Sequence, residues 1–262
     1  MERSYEKLNP GIDIQLEGAG SVACARKITD LGRECDIMAS ADFRVIDEML
    51  IPEYTEINIR FASNSMAIAY TENSARSDEI NADNWFHILM DKDVIYSRSD
   101  PDSDPCGYRS VMTMKLSEKH YRQEGITEVL MAKDRNMIRP KEVDLVALLE
   151  TGVLDYFFIY KSVALQHDFL FVDLPAEVDL SDPSLNKLYS TVSVDIVGRS
   201  PGEYITMTGG EMVYGLTLLN EAPEREEAIK FLRFFLGEEG RAIIEANGQD
   251  FMAPPLGVLD NL

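Results

Sequence analysis

Short apolar segments alternate with amphipathic ones along most of this chain, and this alternation restricts the fold more than any single motif does. Apolar runs and period-two alternation predict strands or extended segments at 12–16, 36–39, 57–70, 154–160, 169–174 and 212–219. Helical spacing predicts helices at 3–8, 22–31, 43–50, 85–89, 108–121, 144–150, 162–166, 224–235 and 240–247. Such alternation is typical of parallel β/α layers, which bind ligands outside the carboxyl ends of their strands.

The charge balance excludes several classes of partner. The 262 residues include 25 Lys and Arg against 46 Asp and Glu, which gives a net charge of −21. An acidic balance of this size argues against binding to nucleic acid or to anionic membranes, and we find no DNA-binding segment. A small anion remains compatible, because anion pockets depend on local N–H groups and helix ends rather than on net charge.

The signals of a membrane protein and of an enzyme are also missing from the sequence. No apolar run reaches the roughly 18 residues of a membrane-spanning helix, and residues 1–7 are not followed by the apolar region of a signal peptide. The histidines and cysteines show neither metal-ligand spacing nor the order of a catalytic triad. We therefore expect a binding protein with no catalytic residues, no cofactor, and no signal peptide or anchor in this chain.

The start of the chain is unusual for this type of pattern. Residues 3–8 look like the end of an amphipathic helix, which is closed by Asn9, Pro10 and Gly11. A β/α layer normally places a strand before such a helix. We therefore expect that one β-strand and part of a helix are missing at the start of this chain.

The segment 97–109 contains the most informative motif. A short apolar run leads into a polar loop, a glycine and a long helical pattern, an order that aims backbone N–H groups at an anion. Yet Asp100, Asp102 and Asp104 lie in this loop, and their charges repel an anion. From the residues alone, Asp104 is best interpreted as the N-cap of the Pro-led helix that follows it.

Several segments in the same order resemble one known family. They lie at 18–28, 39–42, 51–54, 100–101, 104–109, 139–141, 160–164, 166–167 and 213–215, and the run Asp-Pro-Cys-Gly-Tyr-Arg at 104–109 is the most specific. Together they resemble the tungstate/molybdate-binding proteins of archaeal-type ABC transporters. The resemblance covers nearly the whole chain.

The resemblance implies an α/β fold of the periplasmic-binding-protein type (type II), with two lobes that each contain a mixed β-sheet flanked by helices. By this resemblance, lobe one is 1–68 plus 205–262 and lobe two is 69–204. A long strand near 61–70 is expected to cross from lobe one to lobe two, and the strand near 212–216 is expected to return. The oxyanion is expected between the lobes.

The resemblance also implies a ligand set. Family members look six-coordinate, with four oxo groups and two protein carboxylates on the metal. Asp104 matches the first carboxylate, as a direct ligand to tungsten or molybdenum, because hard metal centres take oxygen ligands. Tyr214 matches the family's pocket tyrosine, whose phenol could donate to an oxo group. Ser21 offers a hydroxyl at a helix start, and Cys106 and Gly107 offer backbone N–H groups at the next helix start, so all three suit an oxyanion contact. Ser21 is also compatible with an ordinary helix N-cap, a role that can coexist with the oxyanion contact, and Tyr214 is equally compatible with a core tyrosine.

The second carboxylate is where the chain departs from the family. The family places a Glu on the strand just before the Tyr-Lys-Ser-Val-Ala segment, and this chain has Ile159 there. Isoleucine cannot coordinate a metal and is otherwise an ordinary inward strand residue. The chain is therefore expected either to hold a tetrahedral oxyanion by hydrogen bonds alone or to have altered specificity or reduced affinity.

The resulting functional expectation is an extracytoplasmic solute-binding protein. It captures tungstate or molybdate in the interlobe cleft and delivers it to the permease subunits of an ABC transporter, as a monomer that is membrane-associated by family resemblance. The alternative is a cytoplasmic sensor domain for a small oxyanion. That alternative predicts a complete gene beginning at Met1 or a fused DNA-binding segment.

Overall fold

The computed structural model describes residues 1–198 and 202–253. The chain forms two compact units. Unit 1 comprises Met1–Ser63 and the described residues from Val213 onward, and unit 2 comprises Asn64–Met212.

The described residues form both helices and strands. The helices are α1 (Glu2–Leu8), α2 (Ser21–Thr29), α3 (Phe43–Met49), α4 (Trp85–Met90), α5 (Pro105–His120), α6 (Ile126–Lys133), α7 (Val146–Glu150), α8 (Lys161–Gln166), α9 (Ala176–Asp179), α10 (Asn186–Tyr189), α11 (Arg225–Phe235) and α12 (Glu238–Ala246). The strands are β1 (Ile37–Ser40), β2 (Ile59–Ser63), β3 (Met66–Tyr70), β4 (Tyr96–Ser97), β5 (Tyr156–Tyr160), β6 (Leu170–Asp173), β7 (Ser193–Val197), β8 (Tyr204–Thr208), β9 (Val213–Leu218) and β10 (Asp250–Phe251). Two 3₁₀ turns lie at Glu142–Leu145 and Pro183–Leu185.

Unit 1 contains a sheet in the order β1-β9-β2-β10, in which every neighbouring pair is antiparallel. All six residues of β9 are buried, which matches a central strand. The amphipathic helix α11 packs through its aromatic face: Phe235 lies edge-on to Phe61 at 5.0 Å, and Phe231 lies edge-on to Tyr5 of α1 at 5.1 Å. These aromatic pairs join both helices to the unit 1 core.

Unit 2 contains a sheet in the order β4-β5-β3-β6 and a separate hairpin of β7 and β8. Strand β5 is buried along its whole length, as its sequence Tyr-Phe-Phe-Ile-Tyr predicts. The long helix α5 begins with Pro105 in its first turn and buries most of its length. Proline suits this position because it has no N–H that needs a partner.

The expectation of parallel layers is wrong for most of this fold. Among the named strands, only β4 and β5 pair in parallel, and the other pairs are antiparallel. A run of apolar residues indicates that both faces of a strand are buried, but it does not indicate whether the neighbouring strand is parallel or antiparallel. The broader expectation of mixed sheets flanked by helices agrees with the structure.

Two strand predictions also need correction. Residues 12–16 form no strand, and Leu16 is 73% exposed, because no segment in the described part of the chain pairs with them. The extended stretch at 57–70 is two strands rather than one: β2 belongs to the unit 1 sheet and β3 to the unit 2 sheet, with Asn64 and Ser65 separating them. Helix α6 and the β7–β8 hairpin were not predicted.

The chain passes from unit 1 to unit 2 between residues 63 and 64, and it returns to unit 1 between residues 212 and 213. The predicted lobes change instead at 68/69 and 204/205, and these two boundaries fall inside β3 and β8. Residues 199–201 and 254–262 of the predicted lobes lie outside the described residues. Over the ranges 1–198 and 202–253, no helix combines the length and the apolar character needed to cross a membrane.

Candidate functional site

Asp104 is held at both of its carboxylate oxygens. It is the N-cap of α5 and is only 2% exposed. Its Oδ1 accepts from the N–H of Cys106 at 3.2 Å, and its Oδ2 accepts from the N–H of Glu142 at 3.0 Å. The N-cap interpretation therefore agrees with the structure. Each oxygen keeps a further lone pair, so the cap does not use up the coordinating capacity of the carboxylate.

The backbone donors of the first α5 turn already have acceptors inside the chain. Pro105 has no N–H, and the N–H of Cys106 donates to the Asp104 side chain. The N–H of Gly107 donates to the main-chain oxygen of Asp104 at 3.0 Å. An oxyanion at this helix end would have to share these donors, although the positive end of the helix dipole remains. The oxyanion contacts of Cys106 and Gly107 stay predictions.

Gly107 allows the aspartate loop to lie directly on α5. A Cβ at this position would lie 2.5 Å from the Asp100 carbonyl carbon and 2.6 Å from both Pro101 N and Ser99 O. Real Cβ contacts are not this short, and all three atoms belong to backbone. Glycine is therefore required by the close approach of the loop.

The Cys106 thiol is a buried structural group. It is completely buried, and its Sγ lies 3.7 Å from the Phe158 carbonyl oxygen, to which it can donate. Burial raises the pKa of this thiol well above its usual value, and the charges of Asp104 and Glu142 raise it further. The thiol therefore stays protonated and offers no nucleophile.

The other loop aspartates also bind backbone N–H groups. Asp100 Oδ1 accepts from the N–H of Asp102 at 3.0 Å, and Asp102 Oδ1 accepts from the N–H of Val197 at 2.8 Å. The loop is anchored as well by the N–H of Asp100, which donates to Arg139 O at 2.7 Å. The acidic residues thus give the loop its shape, which explains their presence in a segment that resembles an anion site.

Glu142 is a residue that the sequence analysis missed. It begins a 3₁₀ turn beside Asp104, and burial raises the pKa of its carboxyl well above the usual value. The Asp104 charge and a hydrogen bond between the two carboxyl groups raise this pKa further. The matched segment 139–141 ends one residue before Glu142, and this was the only sequence signal. Asp104 is 38 residues away, so the pairing depends on the fold.

Ile159 is fully buried in an apolar cluster of unit 2. The cluster includes Leu145, Val146, Phe157 and Ala164. The interpretation of residue 159 as an inward strand residue agrees with this packing. No carboxylate occupies this position.

Ser21 lies at the start of α2 in unit 1. The N-cap is Gly20, which has no side chain, so the N-cap interpretation of Ser21 is wrong by one residue. The Ser21 Oγ accepts from the N–H of Ala41 at 2.9 Å and retains its hydrogen for donation. Unlike α5, α2 begins without a side-chain cap on its first N–H groups, a favourable arrangement for an anion.

Tyr214 lies on β9 with its ring edge-on to Phe61 at 5.9 Å, and it is 9% exposed. The β1–β9 register pairs Ser40 with Gly215. Ser21 binds Ala41, which follows Ser40, and Tyr214 precedes Gly215. Ser21 and Tyr214 therefore lie at the same end of the β1–β9 pair in unit 1. Unit 2 separately brings Asp104, Cys106 and Gly107 together, with Glu142 beside them.

Within the part of the chain that the structure describes, no group of three or more His, Cys, Asp or Glu side chains could hold a metal ion. The two carboxylates of Asp104 and Glu142 are a pair. A pair of oxygen ligands can complete the coordination of a centre that already carries oxo groups.

Comparisons with known proteins identify the family. The family model described as "Bacterial extracellular solute-binding protein" matches residues 1–249. An uncharacterized solute-binding protein of Petrotoga mobilis is 51% identical over 260 residues, covering 98% of this chain and 81% of that protein. The molybdate/tungstate-binding protein WtpA of Pyrococcus abyssi is 43% identical over 273 residues, covering 96% of this chain and 78% of that protein.

Solved structures support the same fold. The periplasmic molybdate-binding protein of Azotobacter vinelandii superposes with a TM-score of 0.65 at 14% identity, covering 95% of this chain and 91% of that one. The expected two-lobed periplasmic-binding-protein fold and the resemblance to tungstate/molybdate-binding proteins are both confirmed. The family consists of transport proteins that bind a substrate and are not enzymes. The chain belongs to the bacterial extracellular solute-binding proteins, the binding components of ABC-type transporters.

Proposed function

We propose that this protein captures tungstate or molybdate and delivers it to the permease subunits of an ABC transporter. The observation that carries the proposal is the 43% identity, over 96% of this chain, to a protein named for binding molybdate and tungstate. Asp104 is the proposed direct ligand to the metal of the oxyanion. Ser21, Cys106, Gly107 and Tyr214 are the proposed contacts of its oxo groups.

The geometry of Asp104 supports this role. Two N–H donors orient the carboxylate, at 3.2 Å and 3.0 Å, so little side-chain freedom remains to be lost when a ligand binds. The carboxylate also lies at the N-terminus of a 16-residue helix, whose dipole favours negative charge nearby. A hard, high-valent centre would accept an oxygen lone pair that the two hydrogen bonds leave available.

Thermal unfolding with separate additions of tungstate, molybdate, sulfate and phosphate tests the proposal. A ligand that binds only the folded protein stabilises it by about 4 kcal/mol at a thousandfold excess over its dissociation constant. We expect a large increase in the midpoint temperature with tungstate and molybdate and little with sulfate or phosphate. No shift with any anion, or equal shifts with sulfate, would contradict the proposal.

A pair of variants in the same loop links the effect to Asp104. Asp104→Asn removes the charge and one carboxylate oxygen, and we expect it to abolish the tungstate shift. Asp102→Asn makes the same change of charge two residues away and can keep its acceptor for the Val197 N–H. It should keep the tungstate shift, so equal losses in both variants would indicate a general charge effect.

A cytoplasmic oxyanion sensor is not favoured by the comparisons, because the matched family is extracellular. The sulfate additions in the thermal-unfolding experiment test whether Ile159 has altered the anion specificity of the protein. Association with a membrane and the monomeric state remain predictions, and sedimentation of the purified protein with and without tungstate measures the latter.

A further inference from the structure

We propose that Arg98 and Asp134 are positioning residues for the oxyanion site. Their buried ion pair aligns the two segments that hold the Asp104 carboxylate in place. This inference rests on the proposed function, in which Asp104 is the direct ligand, and it gives Arg98 and Asp134 no contact with the anion.

The ion pair lies in the interior of unit 2. Arg98 Nε lies 2.7 Å from Asp134 Oδ2, and the two residues are 2% and 0% exposed. Arg98 directly follows β4, and its Nη1 donates to Ser99 O at 3.2 Å. Asp134 is the C-cap of α6 and begins the link at 134–141, which leads to the 3₁₀ turn. The pair therefore fixes the end of β4 to the end of α6.

The aspartate loop and the link run side by side from this ion pair. Ser97 Oγ donates to Met137 O at 2.7 Å. Ser99 pairs in parallel with Arg139, and the N–H of Asp100 donates to Arg139 O at 2.7 Å. Because the two segments are bonded to each other along this stretch, a shift of the link relative to β4 also moves the loop.

Both segments end at the proposed ligand. The aspartate loop carries Asp104 itself, and the link ends at Glu142, whose N–H donates to Asp104 Oδ2 at 3.0 Å. The other carboxylate oxygen accepts from the N–H of Cys106 at 3.2 Å. The relative position of the two segments therefore sets the direction of the Asp104 carboxylate. Binding groups work only when they are held within about 0.5 Å of the productive position.

The electrostatics of the pair favour a positioning role over a stabilising one. Burial raises the pKa of the Asp134 carboxyl above its usual value, although the charge of Arg98 lowers it. Attraction to Arg98 therefore does not fully offset the lost hydration of the carboxylate. Buried ion pairs can often be replaced by apolar residues without loss of stability, and in some proteins they specify one arrangement of the chain.

The double variant Arg98→Met/Asp134→Leu tests the inference, because it removes both charges and fills their place with two large apolar side chains. We expect it to unfold at no lower a urea concentration than wild type. We expect its dissociation constant for tungstate, measured by isothermal titration calorimetry, to rise roughly 10-fold.

Amide hydrogen exchange of the ligand-free protein separates positioning from folding. The Asp100 and Glu142 amides, followed by NMR, should exchange faster in the double variant than in wild type, while the amides of β3 and β5 keep their protection. Arg98→Lys keeps a charge beside Asp134 but lacks the planar group that also reaches Ser99 O. Its affinity and its amide exchange should lie between those of wild type and the double variant.

Arg76→Gln/Glu79→Gln is the matched control, because it removes one positive and one negative charge from a partly exposed ion pair of the same unit, outside both segments. It should bind tungstate as wild type does. The inference is overturned, and the proposed function left intact, if the double variant binds tungstate as tightly as wild type. Loss of stability and of amide protection throughout unit 2 overturns it as well, since the pair would then hold the fold rather than the site. Failure of wild type to bind tungstate overturns both the inference and the proposed function.

Discussion

The main-chain N–H of Glu142 donates to Asp104 Oδ2 at 3.0 Å, across 38 residues of sequence. This bond joins the start of α5 to the 3₁₀ turn that leads into α7. It also places the buried carboxyl group of Asp104 beside the partly buried carboxyl group of Glu142 in unit 2. Burial and the neighbouring Asp104 charge raise the pKa of the Glu142 carboxyl well above its usual value, so this carboxyl keeps its proton to a higher pH than an exposed one does.

Gly107→Ala should destabilise the protein by about 1–3 kcal/mol, since the new methyl group would overlap backbone atoms of the aspartate loop. The better helix propensity of alanine offsets only part of this cost. Urea unfolding of the variant measures the loss. Gly11→Ala is the control, because a Cβ there meets nothing within 4 Å, and its stability should change by less than about 0.5 kcal/mol.

Ile159→Glu should lower the stability of the ligand-free protein by about 3 kcal/mol or more, because it places a carboxylate in a fully buried apolar cluster. Ile159→Val, which removes one methylene from the same site, should cost about 0.5–1.5 kcal/mol. Both values follow from urea unfolding. A Glu variant as stable as the Val variant would show that residue 159 can reach water or a polar partner.

Asp179→Asn should stabilise the protein at neutral pH. Burial raises the pKa of Asp179 above its usual value of 3.8, against the opposing effect of its bonds from Ser181. Above pH 3.8 the unfolded chain therefore releases this proton first, and wild-type stability falls as the pH rises toward the folded pKa. The asparagine keeps an oxygen that accepts from Ser181, and because it does not ionise, it avoids the fall in stability with rising pH.

Unfolding at pH 4 and pH 7 measures the effect of Asp179→Asn. The gain over wild type should be on the order of 1 kcal/mol at pH 7 and smaller at pH 4. Asp195→Asn removes an exposed carboxylate and controls for the loss of one negative charge; it should give a smaller gain in stability at pH 7 than Asp179→Asn does. A gain that is larger at the lower pH would contradict the direction of the pKa shift.

Cys106 should resist alkylation in the folded protein, because its thiol is completely buried and burial holds its pKa well above the usual value. Cys24 and Cys35 are partly exposed and should react before Cys106, with Cys35 reacting slowly because burial raises the pKa of its thiol. Mass spectrometry after iodoacetamide treatment should therefore count two modifications in native protein and three in denatured protein. Rapid modification of Cys106 in native protein would show that the loop over α5 opens readily.

Most helices and strands could be predicted from local patterns. The proline after Asp104 marks the start of α5, and the apolar run before Lys161 marks β5, because capping and hydrophobic periodicity act between residues that are close in sequence. The same local chemistry correctly predicted the N-cap role of Asp104. The family match was likewise available from ordered segments of the sequence.

Strand direction, the break at Asn64 and Ser65, and the neighbours of each site residue depended on the tertiary structure. Nothing near 12–16 in sequence indicates that this alternating segment has no partner strand. Nothing near Glu142 indicates that Asp104 lies beside it. A partner strand for 12–16 and the contact between Asp104 and Glu142 both involve residues that are tens of positions apart in sequence. The packing of whole elements decides whether such residues meet. Local physics specified the elements of this protein, and long-range packing specified which carboxylates meet.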